Sequence, residues 1–159
     1  EKMLSNLRIV TITGDTFVLK DMEKEGDAIL IANNFNDTLG AFQEYWLIQY
    51  YTNNGLNAIG NIFPSNGILV YHIDSSVTYE SKYEGYVINN NNTTYTNKTG
   101  YGTRNNLIEF VPYSSSSNIY KANADLNKSL KDNKGNTIPH TFHIDNISGD
   151  TATLTFKKL

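Results

Sequence analysis

From Leu7 to the end of the chain one pattern recurs: a short run rich in β-branched and aromatic residues, then a cluster of Gly, Asn or Asp. Side chains of that kind suit a pleated, half-buried surface, and the clusters supply turn conformations. The repeated alternation is the signature of an all-β domain. "LRIVTITG" closes at Gly14-Asp15, and "TFVLKDM" follows as its expected hairpin partner. "DAILIANN", "EYWLIQYY" and "GILVYHID" come next, with apolar residues on both faces of the last two. Such strands belong at the centre of a sheet, covered on both sides. "NLIEFVPY" is a further strand stopped by Pro112, and "HTFHIDNIS" and "ATLTFKKL" form a hairpin through Gly149-Asp150. In the last of these, Ala152, Leu154 and Phe156 alternate with Thr153, Thr155 and Lys157, so one face is expected in the core.

The expected architecture is therefore an antiparallel β-sandwich, one domain over 1–159. At most one short helix is expected, placed at "NADLNKSLKDN" as an alternative to irregular loop. Residues 75–106 read as a long Asn/Thr/Tyr-rich loop excursion with "EGYVI" as a short edge strand. A chain of 159 residues can bury roughly 70% of the surface its unfolded form exposes, enough for one real core. It opens at Glu1 without an initiator Met or leader, and the expectation is a piece of a longer protein.

Composition narrows the function. The formal net charge is −3 and no run of five basic residues occurs, which leaves nucleic acid without an electrostatic footprint. No apolar stretch approaches the roughly 18 residues that span a bilayer. Cysteine is absent, so a disulfide scaffold and a thiolate zinc site are excluded.

His72 and Asp74 stand two apart at the end of a strand, so both point to one face. That spacing can offer an imidazole and a carboxylate to one metal, or mark a polar strand end with Asp74 capping the Ser75-Ser76 turn. His140 and His143 fall on opposite faces of their strand, with Asp145 on the face of His143. "DMEKEGD" mixes both signs of charge and reads as a solvated loop. Asp27 or Asp74, joined by Asn side chains and carbonyl oxygens, are candidate calcium ligands, without the Asp-x-Asp-x-Asp-Gly spacing. Trp46 and Tyr50 with Tyr45, Tyr51 and Tyr101 are candidates for a stacking platform for carbohydrate or peptide. A free-standing extracellular binding module built on these rings is one possible function. A hydrolase using His72, Asp74 and His143 would require those side chains to converge. No His is followed by Glu, so the chain has no His-Glu-x-x-His zinc-peptidase signature; it also has no Gly-x-Ser-x-Gly elbow and no phosphate loop. The fragment is not expected to be catalytic alone.

"EYWLIQYYTNNGLNAIGNIFPSNGILVYHID", residues 44–74, resembles a segment of the M6 family of secreted bacterial metallopeptidases, the immune inhibitor A type. There a strand Glu-Tyr-Phe-Leu-Leu-Glu-x-Arg runs into a Gly-containing turn, and Pro-x-x-Gly leads to a strand ending His-hydrophobic-Asp. Glu44, Tyr45, Trp46, Leu47, Ile48, Gly55, Pro64, Gly67, Ile68, Leu69, His72 and Asp74 match. "NNLIEFVPY" and "FHIDNISGDTATLTF" resemble the strands that follow. Gln49, Tyr51 and Asn57 depart from the pattern, which has Glu, Arg and Asp there. The resemblance implies a C-terminal, non-catalytic β-rich region of a secreted or cell-surface bacterial hydrolase. Its zinc and His-Glu-x-x-His helix would lie upstream, with the catalytic domain as its partner and a protein or peptide as substrate. His72 and Asp74 would then be structural or calcium-related, and an apolar patch is expected where the parent domain packs.

Overall fold

The computed structural model describes residues 6–9, 14–33, 35–60, 62–81, 84–88, 106–126 and 129–159. Its strands are β1 (Asn6–Ile9), β2 (Thr16–Lys20), β3 (Asp27–Ile31), β4 (Glu44–Tyr51), β5 (Gly67–Asp74), β6 (Val77–Glu80), β7 (Gly85–Ile88), β8 (Ile108–Phe110), β9 (His140–Ser148) and β10 (Thr151–Lys158). They form a five-stranded sheet ordered β1-β3-β4-β5-β8, a three-stranded sheet ordered β2-β10-β9, and a separate β6-β7 hairpin. The domain is mostly β, as the sequence pattern requires.

β4 and β5 occupy the middle of the larger sheet, in the register Ile48 opposite Val70 and Trp46 opposite His72. One face carries Ile29, Ile31, Trp46, Ile48, Tyr50, Ile68 and Val70 into the main core. Leu19, Phe142, Ile144, Ala152, Leu154 and Phe156 meet it from the smaller sheet. The alternation expected in β10 holds, with Ala152, Leu154 and Phe156 buried. On the opposite face of the large sheet Tyr51, Leu69 and Ile119 form a second cluster with Phe63 and Tyr71 against it. Burial on both faces explains why neither β4 nor β5 reads as a simple polar–apolar alternation.

β2 does not pair with β1, contrary to the hairpin expectation. It runs antiparallel to β10, with Leu19 opposite Ala152 and Phe17 opposite Leu154, while β1 lies parallel to β3. The turn between them hydrogen-bonds elsewhere: Gly14 N–H donates to the Phe156 carbonyl at 2.9 Å. Phe17 meets Phe156 edge-to-face at 5.5 Å. Long-range burial of Phe17 and Leu19 against β10 outweighs the local turn.

Among the described residues there are two short helices, neither of them in 123–126 or 129–133. The first, α1 (Met22–Glu25), is capped by the Asp21 carboxylate, which accepts from Glu23 N–H, and closed by Gly26 at φ 62°. It carries the chain from one sheet to the other. The solvated-loop reading of 21–27 is corrected at its ends, since Asp21 and Asp27 are buried. The second, α2 (Gly55–Gly60), lies between β4 and β5. Residues 119–126 and 129–138 instead run irregularly along the sandwich edge: Ile68 bridges Tyr120, Asp125 bridges His143, and Lys131 bridges Thr137. Ala124, Leu126, Leu130 and Ile138 complete the core from this segment. "EGYVI" supplies β7, paired with β6. Residues 82–83 and 89–105 of the Asn-rich excursion, Tyr101 included, lie outside the described residues.

Candidate functional site

The β4–β5 register gathers the polar ends of both strands on the core-facing side. Glu44 lies opposite Asp74 and Trp46 opposite His72, and β8 sets Glu109 on the other flank of His72. The imidazole stacks on the Trp46 ring at 4.6 Å and 6° between planes. His72 Nε2 lies 2.7 Å from Glu44 Oε1, and Nδ1 lies 3.1 Å from Glu109 Oε1. Each ring nitrogen therefore faces a carboxyl oxygen at hydrogen-bond distance. With a carboxylate at each nitrogen, neither is open to a metal or a substrate proton in this arrangement.

The network reaches into the irregular segment. Asn133 N–H donates to Glu44 Oε1 at 2.7 Å, and Asn133 Nδ2 donates to Asp74 Oδ2 at 2.7 Å. Ser76 N–H donates to Asp74 Oδ1 at 3.2 Å, the turn cap expected of this strand end. Asn106 Nδ2 donates to Glu109 Oε2 at 3.0 Å. That amide, with His72 behind it, holds the Glu109 carboxyl below the usual glutamate range. Asp74 and His72 are buried, whereas Glu109 is half exposed. Glu44 and Asp74 edge a polar cleft of about 920 Å³, also lined by Asn33, Asn36, Gln43, Trp46, Asp132 and Asn133. Asn136 and backbone N–H donors hold the Asp132 carboxyl low.

His72 and Asp74 thus share a face and a network, as their spacing requires. His143 does not join them. It sits on the outward face of the smaller sheet, where Nδ1 lies 2.9 Å from Asp125 Oδ1, and Asp145 on the same face accepts from Thr155 Oγ1 at 2.7 Å. His140 stands apart again, its Nδ1 buried without a hydrogen-bond partner. The convergence a hydrolase needs is absent for these three groups. Asp27 Oδ2 accepts from Lys20 N–H at 2.8 Å at the start of β3. Among the described residues no three His, Cys, Asp or Glu side chains gather to hold a metal ion.

The stacking platform is corrected. Trp46 is 2% exposed and Tyr50 0%, so their faces belong to the core and cannot receive a sugar ring. Tyr50 uses its hydroxyl to donate to the Gly149 carbonyl at 2.7 Å, tying the two sheets together. Glu44, Glu109 and Asn133 are the network members that sequence reading missed. The matched strand ends hinted at Glu44; Asn133, from a loop remote in sequence, left no signal.

The most exposed aliphatic side chains include Leu56 and Ile59 of α2 and Ile62 after it, 74%, 82% and 75% exposed. Phe63 and Phe110 meet edge-to-face at 5.7 Å. No helix among the described residues is long and apolar enough to cross a membrane. In comparison with known proteins, the chain matches no family model, no curated protein and no solved structure.

Proposed function

We propose that this chain is the accessory, non-catalytic β-domain of a secreted bacterial zinc metallopeptidase of the M6, immune inhibitor A type. Its role is to support the catalytic domain or help hold a protein substrate. The observation that carries this reading is the β4–β5 register. Glu44, Trp46, His72 and Asp74, all from the segment that resembles the family, fall into one connected cluster and do not scatter. A cluster that closes on itself, with both His72 nitrogens against carboxylates, suits a structural role. The zinc and the chemistry belong, on this reading, to an upstream helix. The apolar side chains around α2 supply a surface for the neighbouring domain. A stacking module for glycan or peptide is the weaker reading, because Trp46 and Tyr50 are buried.

Casein cleavage by the longer parent chain and by this chain alone, with and without a zinc chelator, tests the proposal. The expected result is cleavage by the parent, loss on chelation, and an inert fragment. Cleavage by the fragment itself, or a parent indifferent to chelation, would overturn it.

A further inference from the structure

The chain contains two Asn-Gly pairs, Asn54-Gly55 and Asn66-Gly67. In such a pair the glycine nitrogen can reach the asparagine side-chain carbonyl carbon, because no Cβ stands in the way. The fold treats the two pairs differently. Asn66 is clamped: its Oδ1 accepts from Asn53 N–H at 2.8 Å and its carbonyl accepts from Lys121 Nζ at 3.0 Å. Gly67 is buried at the head of β5, opposite Tyr51, where even a Cβ would meet the Tyr120 carbonyl oxygen at 2.6 Å. Asn54 and Gly55 are exposed, in the turn that leads into α2. The Asn54 carbonyl accepts from Ala58 N–H at 3.2 Å, and among the described residues nothing holds its side-chain amide.

We propose that Asn54 is a site of spontaneous deamidation that installs a negative charge in a segment, 45–73, that has none of its own. The Gly55 nitrogen bonds to Asn54 Cγ, and the side-chain nitrogen leaves as ammonia, closing a succinimide. Water then opens the ring at either carbonyl, leaving aspartate or isoaspartate. One water enters, one ammonia departs, and nothing is oxidised or reduced.

The consequence is local. Between Glu44 and Asp74 the sequence has no Asp, Glu, Lys or Arg. The new carboxylate arises two residues before Leu56, whose N–H donates to Glu23 Oε1 at 2.8 Å. That oxygen already lies 2.5 Å from where a Gly55 Cβ would stand. A like charge introduced one residue from this contact repels Glu23, so the Glu23–Leu56 bond weakens and α2, bearing Leu56 and Ile59, loosens. This inference does not depend on the proposed function.

Peptide mapping by mass spectrometry, after incubating the whole chain in mildly alkaline buffer, reads the site directly. Asn54 is expected to yield both isoaspartate and aspartate at more than about ten times the rate at Asn66, whose reaction waits on local opening. In urea the two rates should converge. An intact Asn54, an Asn66 that keeps pace in the folded chain, or a gap that persists in urea would each overturn the assignment. In the Asn54→Asp variant the Leu56 amide should exchange its hydrogen faster than in the native chain. Equal exchange would overturn the coupling to Glu23.

Discussion

Asp21 is a charged residue at a place where the two sheets meet, and it is 1% exposed. Its Oδ1 accepts from Glu23 N–H at 2.9 Å, and its Oδ2 accepts from the Thr52 hydroxyl, itself fully buried. Its backbone N–H donates to the Asp150 carbonyl at 3.0 Å. A buried carboxylate is tolerated only with donors in place. Replacing Thr52 by Val keeps the volume and removes one donor. Thr52→Val should destabilise the domain by about 1–3 kcal/mol, the cost of leaving a buried polar group unsatisfied. Urea unfolding followed by tryptophan fluorescence would measure it, and an unchanged midpoint would show that the Thr52 hydroxyl adds nothing to stability. Nothing in "DMEKEGD" marks Asp21 as different from its neighbours. Its partner is remote in sequence, so only the packed structure distinguishes it.

At the scale of elements, β5 is held so closely that its first residue has no room for a side chain. A Cβ on Gly67 would stand 2.3 Å from Ile119 Cγ2 and 2.6 Å from the Tyr120 carbonyl oxygen. The Ile68–Tyr120 bridge, with hydrogen bonds of 2.9 and 3.0 Å in the two directions, prevents that segment from yielding easily. Gly149, in the β9–β10 turn, has nothing within 4 Å but takes φ +57°. Gly67→Ala is therefore expected to cost more than Gly149→Ala, whose penalty is the left-handed backbone alone, about 1–2 kcal/mol. Thermal unfolding of the two variants side by side decides it, and the reverse order would show that 119–120 moves freely. The β9–β10 hairpin was fully legible, because alternation and turn residues are adjacent in sequence. The partner of β2 was not, because the choice between β1 and β10 rests on which core buries Phe17 and Leu19.

The whole molecule should carry a pH signature from groups the fold perturbs. Burial, with Lys158 adding to it, pushes His140 below the ordinary histidine value of 6.5. As pH falls below 6.5 the unfolded chain takes up a proton that folded His140 still refuses, so stability drops until the lowered folded value is reached. At the alkaline end, burial pushes the Tyr71 and Tyr120 phenols up to about 12. The unfolded chain releases those protons first, near 10, so stability is lost as pH rises from 10 toward 12. Denaturation midpoints across pH should form a dome falling on both sides, with His140→Gln flattening the limb just below 6.5. A limb unchanged by that substitution would place the proton uptake elsewhere.

What the sequence determined by itself was local: the β class, the central position of β4 and β5, the β9–β10 hairpin, and the shared face of His72 and Asp74. Each follows from a period of two and from turn residues, which are written in neighbouring positions. Only the tertiary structure decided that β2 leaves β1 for β10 and that 119–126 and 129–138 close the sandwich edge, with no helix among those residues. It likewise decided that Trp46 and Tyr50 turn inward and that Glu44, Glu109 and Asn133 enclose His72. Those outcomes depend on register and on which long-range contacts bury the most apolar surface, and one strand's alternation is the same whichever partner it meets.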